Sequence, residues 1–390
     1  MGGKFALYAA VGPDLVHYDA DVEAGTLTHR DTLHTPYPYL KFGWADPARR
    51  FLYVASTNAP MAEPGDDFNL SAYRIDPDTG ALSAHGAAKP LPASATHLTL
   101  DAKGRHALAV FRKGMISVNR IAADGTVGEA VTQPEALYGG VFSHQIRVAP
   151  SNDLAIVVAR GNRATRNKPE EPGSLSVFNY RDGVLSEKAR VAPGGGYGFG
   201  PRNLDFHPSQ PWVYVCLELQ SRIHVYKLEQ GTLSPQPAFI KDTLGKPGWV
   251  SSHQIAGQLH VHPSGRFVYI ANRAAGEINF EGRPFFAGGT NDMAVFSINQ
   301  ETGEPTLIQN EDTRGIYPFS FCIDPTGRML VVGNSQAFEV RDTAATTTTI
   351  PASLATFRIG DDGQLTFVAK YDVAPKGEEM LIWTGLYRIG

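Results

Sequence analysis

Cysteine is nearly absent from this chain: Cys216 and Cys322 are the only two, both inside apolar runs. They offer no C-x-x-C pair and no thiolate metal set, and read as small buried hydrophobes. No apolar run reaches the roughly 18 residues that a membrane span needs. The N-terminal MGGKFALYAAVG lacks a charged segment followed by a long apolar stretch. Neither a secretory signal nor a membrane anchor is expected, and the cytoplasm is the simplest address. The net charge is −4 with no basic block, so nucleic acid and membrane surfaces are not expected partners. HExxH and GxSxG are missing, and GGGYGFG has no following Lys-Ser or Lys-Thr. Zinc, nucleophilic-serine and P-loop chemistry therefore have no motif, and no cofactor is expected. Sustained helical periodicity is missing too.

Short alternating runs are abundant instead, bounded by turn residues drawn from 40 Gly and 27 Pro. One stretch sets the pattern. GFGPRNLDFHPSQPWVYVCLE, from Gly198 to Glu218, reads as an antiparallel hairpin. The pattern returns in SHQIRVAPSNDLAIVVARGN, QLHVHPSGRFVYIANR and FCIDPTGRMLVVGNS, and more loosely in FGWADPARRFLYVAS and HLTLDAKGRHALAVFR. With Pro47, Ala102, Pro150, Pro208, Pro263 and Pro325 as register marks, the sixth residue onward is Tyr53, Leu108, Ile156, Tyr214, Tyr269 or Val331. Tyr8 fits as a seventh copy that lacks its first strand. Spacings of 45 to 62 residues suit four-stranded blades. The expected fold is all-β, a single seven-bladed β-propeller over residues 1–390. A two-domain β-sandwich would explain the strands but not their common register. EEMLIWTGL, from Glu378 to Leu386, has no hairpin partner and is expected to pair with the N-terminal segment, burying Trp383 and closing the ring.

Four insertions, 161–174, 192–200, 277–292 and 341–352, are expected to be loops without secondary structure of their own. The Gly-rich 192–200 segment is the one expected to wall a site, because it feeds into Arg202; the Thr-rich 341–352 segment reads as a surface insertion.

The start of each first strand and the end of each second strand share one end of a hairpin. At the first position the copies carry Lys41, Thr96, His144, Arg202, Gly257 and Phe319; at the second, Thr57, Arg112, Arg160, Glu218, Arg273 and Ser335. Both sets are expected at one mouth of the central channel. Three consecutive blades there supply one imidazole, one carboxylate and three guanidiniums, a set suited to acid–base chemistry on an anionic substrate. The guanidiniums lower the pKa of Glu218 and burial raises it; sequence leaves the balance open. Lys41 and Arg112, from looser copies, read as solvated strand ends, with attraction for an anion as the alternative.

Other candidates fit structural roles better. His262 and His207 occupy the turn-entry position held elsewhere by Asp46, Asp101 and Asp324, where a side chain bonds the turn backbone. His260 and His253 stay open. Glu63, Asp66 and Asp67 read as a solvated acidic loop before a cation site.

In SHQIRVAP, GPRNLDFHP with VCLE, and HPSGRFVYIANR, the chain resembles the seven-bladed β-propeller lactonases. These include propeller-type 6-phosphogluconolactonases and fungal 3-carboxy-cis,cis-muconate lactonising enzymes. The resemblance spans essentially the whole chain. It implies a catalytic set of His144, Arg202, Arg273 and Glu218, the four that the register gathers. Asn203 stands where such lactonases often have His, and Arg160 where an Asp-containing strand end is common. With Arg112, these two complete the expected substrate-binding residues. The implied activity is hydrolysis of an anionic sugar-acid lactone without a metal. A lactonising cycloisomerase acting on a dicarboxylate and a non-catalytic binding scaffold are the alternatives. A monomer or weak homo-oligomer is expected.

Overall fold

The computed structural model describes residues 3–60, 63, 65–246, 253–341 and 346–390. Its strands form seven four-stranded antiparallel sheets arranged as a propeller, with extra pairings at a few edges. The first strand of each blade is innermost: Tyr39–Ala45, Ala95–Leu100, Ser143–Val148, Pro201–Phe206, Gln254–Val261 and Pro318–Ile323 in blades 2 to 7. Neighbouring inner strands touch around the ring.

The residues six beyond each register mark, and Tyr8 in the seventh copy, lie in the core. Tyr8, Tyr53, Tyr214 and Tyr269 are fully buried, as are Leu108, Ile156 and Val331. A buried phenol needs a partner, and each of these four finds it in the next blade. Tyr8 donates to the carbonyl of Gly80, Tyr53 to Gly125, Tyr214 to Gly303 and Tyr269 to Gly363, at 2.6 to 3.0 Å. All four glycines sit in outer turns at φ between 77° and 90°, a conformation that favours Gly. The turn-entry reading also holds. His207 Nδ1 accepts from the amides of Ser209 and Gln210, and His262 Nδ1 from Ser264, while their Nε2 atoms reach Gly265 and Gly327 of the following blades.

Ring closure is as expected, with different strand limits. Leu381–Ile389 pairs antiparallel with Lys4–Val11 and becomes the innermost strand of blade 1. The strand starts at Leu381 rather than Glu378, and Trp383 is 3% exposed. Gly43 makes room for it: a Cβ there would lie 2.8 Å from Trp383 Cη2.

Two insertions expected to be plain loops fold into hairpins. Glu277–Phe280 pairs with Arg283–Phe286, and Phe338–Arg341 with Thr347–Ile350. Aromatic and β-branched residues favour strands even in a polar insertion. The two hairpins pack through Phe286 against Phe338, ring centroids 5.8 Å apart, and Arg283 lies 3.6 Å from Glu339. In 192–200 a 3-10 turn forms at Pro193–Gly196, and 161–174 holds two isolated bridges. Asp66 bonds Asn58 and Asp67 bonds Asn69 within their loop. Cys216 and Cys322 are free and buried. Among the described residues no helix is long and apolar enough to cross a membrane.

Candidate active site

Every inner strand breaks its ladder at the same height. The register slips past Lys41, Thr96, His144, Arg202, the Gly257–Gln258 pair, Phe319 and, in the closing strand, Ile382. A β-bulge inserts one residue that the partner strand does not match, and it re-aims a side chain. Here the bulges turn one residue from each blade inward. Lys41, Thr96, His144, Arg202, Gln258, Phe319 and Ile382 all line one central cavity of about 540 Å³.

The second-strand ends are fixed by backbone. Phe142, Gly200 and Tyr317, each just before an inner strand, have φ of 52°, 55° and 61°. Their carbonyls accept the amides of Arg160, Glu218 and Ser335 at 2.9 to 3.2 Å. A left-handed aromatic residue costs about 1 kcal/mol or more, and such strain gathers at functional sites. Both aromatics have a task here. Arg160 lies over the Phe142 ring at 4.0 Å and Arg112 at 5.2 Å, while His144 stacks on it at 17°. Arg273 lies 4.7 Å from the ring centroids of both Tyr317 and Phe319.

Glu218 is the electrostatic centre. Its Oε1 lies 3.4 Å from Arg202 Nε and 3.3 Å from Arg273 Nη2, and its Oε2 accepts from Arg160 Nη1 at 2.9 Å. Burial raises its pKa, but Arg202, Arg160 and Arg273 together outweigh that and leave it below the ordinary glutamate value. The carboxylate is ionised at neutral pH. Burial, then Arg202, Arg160 and Arg273, drives His144 well below the ordinary histidine value, so its imidazole is neutral. Arg202, pulled down to about 10 by burial and by Arg273, keeps its charge. Buried polar atoms without hydrogen-bond partners collect here: His144 Nδ1, Arg202 Nε, and Arg273 Nε and Nη1. Such groups are rare in finished cores and suit a place that a polar ligand completes.

The predicted residues divide between two hollows. His144, Arg202, Asn203 and Arg112 line the central cavity. Glu218 and Arg160 line a neighbouring recess of about 490 Å³ with Asn162, Arg163, Lys168 and Glu171, from the 161–174 insertion. Arg273 lines neither, and reaches the site through Glu218. Asn203 accepts from Arg202 Nη1 at 2.5 Å. The 161–174 insertion supplies most of the wall of this recess, and neither it nor 192–200 lines the central cavity.

Lys41 is a correction. It is half-buried inside the cavity, not a solvated strand end, because the bulge turns it inward. Burial and Arg112 lower its pKa to about 8. Sequence reading also missed the cavity roles of Gln258, His97 and Ile382. The bulge register carries Gln258 and Ile382, and His97 follows the bulge in blade 3. Of the two histidines left open, His253 is exposed. His260 lies between Gln258 Nε2 at 2.8 Å and Asp205 Oδ2 at 3.6 Å, and Asp205 is paired with Arg147 at 2.9 Å.

Comparison with known proteins agrees with this fold. Residues 10–349 match the family model described as Lactonase, 7-bladed beta-propeller. A 6-phosphogluconolactonase of Pectobacterium atrosepticum is 31% identical over 319 residues, covering 81% of this chain and 84% of the relative. That of Bacillus subtilis is 28% identical, covering 68% and 70%. Among solved structures, a Lactobacillus plantarum protein superposes with a TM-score of 0.72 at 22% identity over 99% of both chains. The periplasmic gluconolactonase of Pseudomonas aeruginosa gives 0.70 at 19% identity over 97% of this chain and 99% of its own. The chain belongs to the seven-bladed β-propeller lactonases and is an enzyme of the lactone-hydrolase class.

Proposed function

We propose that the central cavity hydrolyses an anionic sugar-acid lactone, with 6-phosphogluconolactone as the model substrate. The observation that carries this is the pairing of His144 and Arg202. They come from adjacent blades at one bulge height and face one cavity, and His144 holds a buried Nδ1 without a hydrogen-bond partner. The relatives' activity supports the substrate class.

In this reading the lactone carbonyl lies against Arg202. Neutral His144 takes a proton as water adds to the carbonyl carbon. The oxyanion forms beside a guanidinium already held in place, so little reorganisation is needed. The ring C–O bond then breaks, His144 returns the proton to the departing oxygen, and a hydroxy acid leaves. Glu218, with both oxygens held by guanidiniums, is a positioning residue in this scheme. The sequence-based expectation gave it a share in proton transfer. Arg273 in turn fixes the Glu218 carboxylate. The cytoplasm remains the proposed address, in accord with two free, buried cysteines.

Acid release from a panel of phosphorylated and plain aldonolactones, with and without chelator, tests the reading. The parent protein is expected to exceed the spontaneous rate in both conditions. His144→Ala is expected to lose at least roughly a hundredfold in kcat, the usual scale for a general base. A folded parent that is inert on every lactone overturns the proposal. If that inert protein closes a muconate, the cycloisomerase reading replaces it.

A further inference from the structure

The bulge register gives the cavity two poles. Arg202 and His144 occupy blades 5 and 4. Lys41 occupies blade 2, three blades from Arg202 in a ring of seven, so the two face each other across the channel. Between them on one side stand Phe319 and Ile382 of blades 7 and 1. Arg112, at the second-strand end of blade 3, joins Lys41 on the cavity wall and lies over Phe142.

We propose that Lys41 and Arg112 form a second anion subsite, which takes a phosphate or carboxylate at the end of the substrate opposite its lactone carbonyl. This rests on the lactonase reading above and names which substrate that site selects.

Two observations carry it, and the cost of burying a charge connects them. Among the described residues Lys41 makes no ion pair, although it is half-buried. Glu63, an exposed residue, is the one carboxylate among the described residues that line the cavity, against Lys41, Arg112, Lys113 and Arg202. The field inside is therefore positive and favours entry of an anion. Finally, an ammonium removed from water without a counter-ion is costly, and a substrate anion relieves that cost. The lowered pKa of Lys41 is what such isolation produces. Arg160, one of the substrate-binding residues expected from sequence, is engaged by Glu218 and lies over Phe142. Opposed poles suit a lactone with its carbonyl at one end and its anionic group at the other, rather than a compact lactone with both groups adjacent.

The test compares kcat/KM for a phosphorylated aldonolactone with that for its unphosphorylated counterpart. Lys41→Gln is expected to lower this ratio roughly tenfold or more through KM, the scale of one lost hydrogen bond to a charged group. Lys41→Arg is expected to restore most of it. Arg160→Ala is expected to move both substrates together and leave the ratio in place. Calorimetric titration with inorganic phosphate and with 6-phosphogluconate gives a readout free of hydrolysis, with binding weakened in Lys41→Gln. If the parent hydrolyses neither lactone but binds phosphate through Lys41, the catalytic reading fails and the subsite stands. If Lys41→Gln leaves ratio and phosphate binding unchanged, or lowers both substrates equally, the subsite is overturned.

Discussion

Glu218 reaches back across a blade boundary to Arg160, its Oε2 2.9 Å from Nη1, while its other oxygen serves Arg202 and Arg273. One carboxylate thus ties the second-strand ends of blades 4, 5 and 6 to the inner strand of blade 5. Its side chain is 6% exposed, and those of Arg202 and Arg273 are 5% and 3%. Taking one partner from a buried charge cluster strands the rest.

Glu218→Gln keeps the shape and removes the charge. The variant is expected to lose about 3 kcal/mol or more of unfolding free energy, because three guanidiniums then face each other without a counter-ion. The sign with pH follows from the depressed pKa. Stability from the ionised carboxylate is fully present above the ordinary glutamate value of 4.5 and is lost as pH falls through the lower folded value. Thermal melts of parent and variant should therefore differ most near neutrality and converge in acid. A gap that stays constant down to acid pH would show that Glu218 does not stabilise through its charge. The same variant should lose turnover with both phosphorylated and plain lactones, and the acid limb of its rate profile should persist with its midpoint moved further down, because the guanidiniums around His144 lose their counter-charge.

His144 sets that acid limb. Burial and the guanidiniums of Arg202, Arg160 and Arg273, with His97 adding to them, hold its pKa well below 6.5. A base is active when deprotonated, so kcat/KM should be flat through neutrality and fall only in acid, with a midpoint below 6.5. His144→Ala should lose both the rate and this limb. An acid limb at or above the ordinary histidine value, or one that persists in His144→Ala, would assign the proton to another group.

How far sequence could reach is clear from particular residues. Tyr8, Tyr53, Tyr214 and Tyr269 stood out because a buried mid-strand position between two blades takes apolar or aromatic side chains at a fixed distance from each turn. The closing strand was legible because a strand without a hairpin partner leaves an open edge. The bulges were not legible. One extra residue shifts the inward and outward alternation, but the shift shows only when the partner strand's register is known. Lys41 was therefore read as a solvated strand end, and Ile382 was not seen as the seventh member of the cavity ring. The division of the site was also hidden. His144 and Arg202 sit on bulges and face the channel, whereas Glu218 and Arg160 end second strands and open sideways under 161–174. The pairings of Glu277–Phe280 with Arg283–Phe286 and of Phe338–Arg341 with Thr347–Ile350 were missed because Gly and Thr in a polar insertion signal turns as readily as strands.

The closing strand carries both stability and part of the cavity. Trp383 is buried against Gly43 of blade 2, where an added Cβ would lie 2.8 to 3.0 Å from three atoms of the indole. Gly43 lies outside the left-handed region, so Gly43→Ala is a purely steric probe. The indole is 3% exposed and has little room to yield. Gly43→Ala is expected to cost about 1–3 kcal/mol, the usual range for overpacking. Trp383→Phe alone is expected to cost something too, because it leaves a void where the six-membered ring of the indole stood. If the two residues share one space, the double variant should be more stable than the sum of the single costs predicts, with a coupling of about 1 kcal/mol or more. Additive costs would show that the indole is held elsewhere. The adjacent Ile382 lines the cavity from the same strand. Displacing the closing strand in Gly43→Ala should therefore raise KM for lactone as well as lower Tm, and Trp383→Phe should recover both together. Recovery of stability without recovery of KM would separate ring closure from the site.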